Sequence, residues 1–346
     1  MANILYGING EGSGHWTRSK EVITHLQDSG HKVIVVTSDR ALFNLKRDFK
    51  VEEIYGLGFK YVKGRVSELR SFIKNANAIP RGAISLRRVN KIIKRKSINL
   101  IITDFEPISS LASNIKHIPA ISIDNQHFIT NTDAGYPSKY RIQADITKAG
   151  IEIMTFGVES YIVISFFEAK PKNKKTLILP PILRRQVFDL KPSDGDYILV
   201  YLTYRPENLN DILKSVPYKF IFYGADQESR DANITFKKFD SEKFIIDLAG
   251  AGGVLATAGF SLISEALYLH KPYLAWPVKN QFEQLFNAYH IDRLGYGKFS
   301  KNLTAEDLDA FVSSLGSYRK NLASYPNEDN SRLFAKLDQL IKQHVG

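Results

Sequence analysis

The chain has 346 residues, with 47 Lys and Arg against 36 Asp and Glu, a net charge of +11, and no cysteine. Hydrophobic residues at 44% and charged residues at 24% fit an ordinary globular chain, which excludes disorder and fibres, and the length implies about two domains. Without cysteine there are no disulfides, thiolate nucleophiles or thiolate-bound metals; no signal-peptide pattern opens the chain, and no apolar run reaches the about 18 residues of a membrane span, so a cytoplasmic protein is expected.

In chain order, short β-branched runs at 3–8, 32–37, 100–103, 120–124 and 161–165 read as buried strands, with helical patterns near 17–29, 66–77, 83–96, 108–116 and 138–156. Strands separated by helices predict βαβ crossovers and a parallel sheet. The segment at 181–196, with Pro, charge and Gly, reads as a linker. The alternation restarts with strands at 197–201, 220–223, 234–237, 254–257 and 273–276 and helices near 206–214, 241–250, 261–269 and 281–291. This predicts an α/β chain of two doubly wound Rossmann-like domains facing a central cleft, at 1–180 and 197–329, with a last helix in 330–346 that either finishes the second domain or crosses back to the first.

Between Glu68 and Asp104 there is no acidic residue, yet Arg70, Lys74, Arg81, Arg87, Arg88, Lys91, Lys94, Arg95 and Lys96 all occur. The block reads as a solvated helical face or as a contact to anionic lipid headgroups or an acidic acceptor. Nucleic acid is not expected, since no recognition module accompanies it.

After the first strand comes Gly10-Glu11-Gly12-Ser13-Gly14-His15. Its glycines allow close backbone approach, and the following helix start suits an anion. His15 stands where a dinucleotide fingerprint has its third glycine, although Asp39 lies where a ribose-binding acid would sit, so a dehydrogenase stays open. Imidazole changes protonation near neutral pH, which makes His15 a candidate general base, or else a loop-capping residue. Asp104 is a candidate to orient it, and Glu106 is a second acidic candidate.

In the second half, Ala258-Gly259-Phe260 reads as a strand-to-helix turn with Ser261 as an N-cap. The amides of Phe260, Ser261 and Leu262 would form an anion site suited to a diphosphate. Glu265 follows Ser261 by one helical turn and is placed to accept from two ribose hydroxyls. Pro272 and Pro277 bound the next strand, and Lys279, Gln281, Glu283, Gln284 and Asn287 follow, donors and acceptors of the kind a sugar requires.

The joint pattern of Gly259, Ser261, Glu265, Ala266, Leu267, Pro272, Pro277, Glu283, Gln284, Asn287 and Ala288 resembles the signature of the GT-B glycosyltransferases, in particular families 1 and 28. The loop Gly12-Ser13-Gly14-His15 is similar to the glycine-rich loop of the family 28 enzyme, and Asp104 to the acid that partners the family 1 histidine. The pattern departs at His270-Lys271, where family members usually place a glycine, and at the pair Glu283-Gln284. The resemblance implies an inverting, metal-independent transferase moving a sugar from a nucleotide diphosphate, UDP foremost, to a hydroxyl of a glycan or lipid-linked acceptor, with no cofactor. It implies His15 as base with Asp104, Gly259 and Ser261 at the diphosphate, Glu265 at the ribose, Glu283 and Gln284 at the sugar, and the uracil near the loop after 234–237. Lys279, Arg184 and Arg185 are candidate cations for the diphosphate. Cell-envelope polysaccharide synthesis at the inner membrane face, with Arg70–Lys96 touching anionic lipid, is the expected setting. A UDP-sugar 2-epimerase of the same fold, an NAD-dependent dehydrogenase and a non-enzymatic glycan-binding or lipid-binding module are the alternatives.

Overall fold

The computed structural model describes residues 1–56, 61–62, 65–66 and 79–346, with 61–62, 65–66 and 79 as backbone only. Arg70, Lys74 and nearly all of the helix predicted near 66–77 lie outside these residues. The chain divides into two units. The first comprises Met1–Lys60, Ser67–Arg184 and Glu328–Gly346, and the second comprises Tyr61–Val66 and Arg185–Asn327.

The strands of the first unit are β1 (Asn3–Ile8), β2 (Lys32–Thr37), β3 (Val51–Glu53), β6 (Leu100–Asp104), β7 (Ala120–Asp124), β8 (Ser160–Ile164) and β9 (Thr176–Leu179); a separate two-stranded hairpin pairs β4 (Tyr61–Val62) with β5 (Arg65–Val66). The seven strands run parallel in the order β3-β2-β1-β6-β7-β8-β9. All five residues of β6 and of β7 are buried, as expected of parallel strands covered on both faces. The helices are α1 (Gly14–Asp28), α2 (Asp39–Leu45), α3 (Ile79–Lys96), α4 (Pro107–Lys116), α5 (His127–Asn131) and α6 (Arg141–Met154). Helices α3 and α4 pack side by side on one face of the sheet, where Val89, Ile93, Ile108 and Ala112 meet Leu5, Val36 and Ile101. The α4 start lies so close to β1 that a Cβ on Gly7 would stand 2.1 Å from Ser109 Oγ. The order reverses between β1 and β6, with Ile8 beside Asp104, so the loops after these strands form the switch point where such sheets bind ligands.

The second sheet holds β10 (Tyr197–Tyr201), β11 (Lys219–Tyr223), β12 (Ser229–Asp231), β13 (Ile234–Lys237), β14 (Gly253–Ala256), β15 (Tyr273–Ala275) and β16 (Gly297–Phe299). Its order is β12-β13-β11-β10-β14-β15-β16, parallel except for the β12 edge. The helices in chain order are α7 (Arg185–Phe188), α8 (Leu209–Ser215), α9 (Ser241–Gly250), α10 (Phe260–Tyr268), α11 (Phe282–Arg293), α12 (Ala305–Ser313) and α13 (Leu315–Leu322). Val200, Phe222, Leu255, Leu274 and Phe311 belong to one buried core. Here the order reverses between β10 and β14.

The last helix, α14 (Ser331–Val345), belongs to the first unit. His25 stacks on its Phe334 at 4.2 Å and reaches Asp338 at 3.0 Å, while Asn330 exchanges hydrogen bonds with the backbone of Leu183.

The departure at His270-Lys271 has a backbone cause. Helix α10 ends with the Lys271 amide donating to Ala266 O at 2.7 Å and the His270 amide to Leu267 O at 2.9 Å, which puts His270 at the left-handed position (φ 55°) that glycine usually fills. His270→Gly is expected to raise stability by about 0.5–1 kcal/mol, read as a higher urea midpoint. An unchanged or lower midpoint would show that the bond from His270 to Asn327 (3.0 Å) outweighs the backbone strain.

Candidate active site

In the first unit, helix α1 begins at Gly14, so His15 lies in its first turn rather than in the preceding loop, with Arg18 and Ser19 one turn on along the same face. That face meets the end of β6. His15 Nδ1 lies 2.7 Å from Asp104 Oδ1; Arg18 Nε donates to Asp104 Oδ2 at 2.7 Å and Arg18 NH2 to Oδ1 at 2.5 Å, a bidentate fork; and Ser19 Oγ donates to Oδ2 at 3.0 Å. Arg18 NH1 also donates to Asn125 Oδ1 at 2.6 Å, which ties the end of β7 into the network.

Asp104 is fully buried. Burial alone would raise its pKa, but the Arg18 charge, His15 and their hydrogen bonds outweigh it and hold the carboxyl at about 2. An ionised Asp104 can only accept, so at 2.7 Å it favours a proton on His15 Nδ1 and leaves Nε2 unprotonated in the neutral ring, against the Arg18 NH2 that lies 3.0 Å from the same Nδ1. His15 retains 14% side-chain exposure against 0% for Asp104, so the imidazole is reachable and its partner is not. Phe105, in left-handed backbone (φ 55°), follows Asp104 and lies parallel to the His15 ring.

Glu106 takes a different place. It is the N-cap of α4, its carboxylate accepting from the amides of Ile108 (2.8 Å) and Ser109 (2.7 Å), and burial pushes its pKa up. Both oxygens serve the helix start, so Glu106 is corrected from catalytic candidate to structural cap. Gly12 needs its glycine for a φ of 74°, and Ser13 caps α1 without a side-chain hydrogen bond. Asp39, the ribose candidate, opens α2 in left-handed backbone (φ 48°). A second buried pair, His127 and Asp124 at 2.7 Å, is closed on its far side by Thr155 at 2.7 Å and serves packing.

In the second unit the N-cap of α10 is Gly259, and Ser261 is the second helical residue, so the predicted Ser261 cap is corrected. The first intrahelical bond is Ile263 N to Gly259 O, which leaves the amides of the first turn pointing out of the helix start. Gly259 has an ordinary φ of −73°, and a Cβ built on it meets nothing within 4 Å. Neither the turn nor the packing requires glycine here. The turn is braced from behind by Tyr273 Oη on Thr257 O (2.7 Å) and by Asn287 Nδ2 on Ala258 O (3.0 Å), and Thr203 from the loop after β10 meets Thr257 at 3.2 Å. Asn287 therefore supports the turn before α10.

Glu265 is buried one turn below Ser261. Gln284 Oε1 accepts from Val278 N at 2.9 Å and shapes the loop after β15; Glu283 stands in the first turn of α11, and Lys279 is exposed. Gln281 Oε1 is buried and has no hydrogen-bond partner among the described residues. Phe236 is core, whereas Phe239 is exposed at the end of β13 against Tyr201 at 5.5 Å. Arg184 and Arg185 fall on the boundary between the units. Among the described residues no group of three or more His, Asp or Glu is arranged to hold a metal ion.

Residues 2–316 match the family model described as "Glycosyl transferase family 1". The chain belongs to glycosyl transferase family 1. Both sheets and their helices are those of the GT-B fold, which recurs in the calicheamicin glycosyltransferase CalG4 (15% identity, 100% of each chain covered, TM-score 0.70), in UGT2 of Phytolacca americana (12%, 99% of each chain, 0.71) and in Os79 of O. sativa (13%, 98% of this chain and 99% of that one, 0.72). No curated protein matches the chain. Family 1 membership makes the protein a glycosyltransferase and leaves the hydride-transfer reading of Gly10–Gly14 and Asp39 without support. No sequence motif marks Arg18, Ser19, Asn125 or Tyr273; the signal for Arg18 is its place three residues after His15 on the same helix.

Proposed function

We propose that this family 1 transferase moves a sugar from a UDP-sugar to a hydroxyl of a glycan or lipid-linked acceptor with inversion at the anomeric carbon. The observation that carries the donor half is Gly259: a glycine at a helix start that the fold does not require, beside outward-pointing amides. A diphosphate on these amides is held by fixed dipoles that also stabilise the leaving-group charge, so the transfer needs no metal and no cofactor. Glu265 takes the ribose, and the unpartnered Gln281 Oε1 accepts from a sugar hydroxyl beside Glu283 and Gln284. The exposed Phe239 offers the base a ring to lie on. UGT2 and Os79 were solved with UDP-2fluoro-glucose and with UDP, which supports uridine as the nucleoside. In the first unit, His15 Nε2 takes the acceptor's proton as its oxygen attacks the anomeric carbon and the C–O bond to UDP breaks.

Gly259→Ala tests the donor half. The alanine meets no atom, and the lower N-cap preference of Ala is offset by the smaller unfolded-chain entropy, so stability stays within about 0.5 kcal/mol. UDP affinity falls by about 1.5–3 kcal/mol, the worth of one charge-assisted hydrogen bond. Calorimetric titration showing wild-type UDP affinity in this variant would remove the diphosphate from the α10 start.

A further inference from the structure

We infer that the outer face of α3, α4 and α6 is a docking surface for anionic lipid bilayers. A surface helix normally turns its apolar stripe inward. Helix α6 buries Ala144 and Ile151 instead, and turns Ile142 (77% exposed), Ile146 (53%) and Ile153 (78%) outward, with Phe156 (71%) just past its end. The three isoleucines follow one another at intervals of four and seven residues and so lie along a single helix face. Helix α4, which touches α6 and whose Asn114 donates to Phe156 O at 2.6 Å, adds exposed Leu111 and Ile115, also four apart. Of the twelve large exposed apolar side chains among the described residues, six (Ile84, Leu111, Ile115, Ile142, Ile146 and Ile153) lie on α3, α4 and α6 and Phe156 lies just past α6, an arrangement that on soluble surfaces marks a contact site.

The charge beside this face selects its occupant. Helix α3, packed along α4, has no acidic residue; of its cations Arg88 is engaged by Glu52 at 3.1 Å, whereas Arg87, Lys91 and Lys94 are exposed, and Lys116 extends the charge at the end of α4. Helix α6 itself exposes two carboxylates, Glu152 and Asp145, the latter paired with Arg141 at 3.9 Å and Lys148 at 3.7 Å, so the excess of positive charge comes from α3 and α4. Apolar side chains that enter the headgroup boundary, flanked by cations that stay at phosphate level, match an anionic bilayer. A second copy related by two-fold symmetry would bring the same cationic helices together, which the charge opposes. Among the described residues no helix is long and apolar enough to cross a membrane, so the contact is peripheral.

The inference rests on this surface and not on the UDP reading. The full chain is expected to float with vesicles of phosphatidylcholine mixed with phosphatidylglycerol, to release at high salt, and to ignore vesicles of phosphatidylcholine alone. Replacing Arg87, Lys91 and Lys94 by Gln should weaken binding about 100-fold. Replacing Ile142, Ile146 and Ile153 by Ser should weaken it at least about tenfold at low salt, as their burial is lost. Absence of binding to anionic vesicles, equal binding to both vesicle types, or wild-type binding by the isoleucine variant would each overturn the assignment. So would a dimer in sedimentation that the isoleucine variant dissolves, since the face would then belong to a second copy. Calorimetric UDP titration of the same variants, whose changes lie in the other unit from the donor cradle, separates failure of this surface from failure of the donor site.

Discussion

His15→Ala is expected to lower kcat by about 10²–10⁴ while UDP affinity stays near the wild-type value. The loss follows from geometry: Asp104, held ionised, accepts a hydrogen bond from Nδ1–H at 2.7 Å and leaves Nε2 as the unprotonated nitrogen at the switch point. Alanine removes the proposed base and leaves unchanged the proposed donor residues, which belong to the other unit. Stability should change little, because the imidazole is part-exposed and Asp104 keeps its fork from Arg18 and its bond from Ser19. Steady-state kinetics against donor concentration check this. Wild-type kcat would assign His15 to the glycine loop alone, and a rise in donor KM with kcat intact would move it to binding.

Asp104→Asn is expected to lower both turnover and stability, which separates it from the change at His15. Arg18 is 4% exposed and Asp104 fully buried, so removing the carboxylate strands a guanidinium in the interior at a cost of about 3–5 kcal/mol. Asparagine also fails to hold the Nδ1–H tautomer by charge, so kcat falls as well. The folded-state pKa of about 2 lies below the about 3.9 of an unfolded aspartate. The carboxylate therefore contributes in full above about pH 3.9, and its contribution fades as pH falls toward about 2. The stability gap between wild type and variant should accordingly be flat near neutral pH and close in acid. Denaturant titrations across that range check it, and a gap below about 1 kcal/mol at neutral pH would mean that the Arg18 fork does not stabilise the fold.

Much of the architecture was legible because parallel strands buried on both faces appear as unbroken β-branched runs. The runs at 3–8, 32–37 and 120–124 coincide with β1, β2 and β7, and that at 100–103 stops one residue short of β6, whose last residue is the buried Asp104. The edge strands β3, β9, β12 and β16, of three or four residues, are not marked in the sequence, whereas the equally short but fully buried β15 is, bounded by Pro272 and Pro277. Helices α12 and α13 were missed, as was α2, whose seven residues bury only Ala41 and Leu45.

At the site, residue types were easier to read than their tasks. His15 and Asp104 could be paired on paper, but Arg18 could not, since a buried arginine looks in sequence like any surface cation of a helix. Glu106 and Asn287 were recognised as polar residues near strand ends; whether such groups face a ligand or the backbone is decided by a few ångströms of loop path, and here both face the backbone. Gly259 was read as a turn glycine, and only its ordinary φ and the empty space beside it show that the turn does not need it.

The most direct measurement is a crystal structure of the full chain with UDP. The diphosphate is expected on the amides of Ser261 and Leu262 at about 2.7–3.1 Å, with the ribose hydroxyls on Glu265. Diphosphate density anywhere other than the start of α10 would contradict the account.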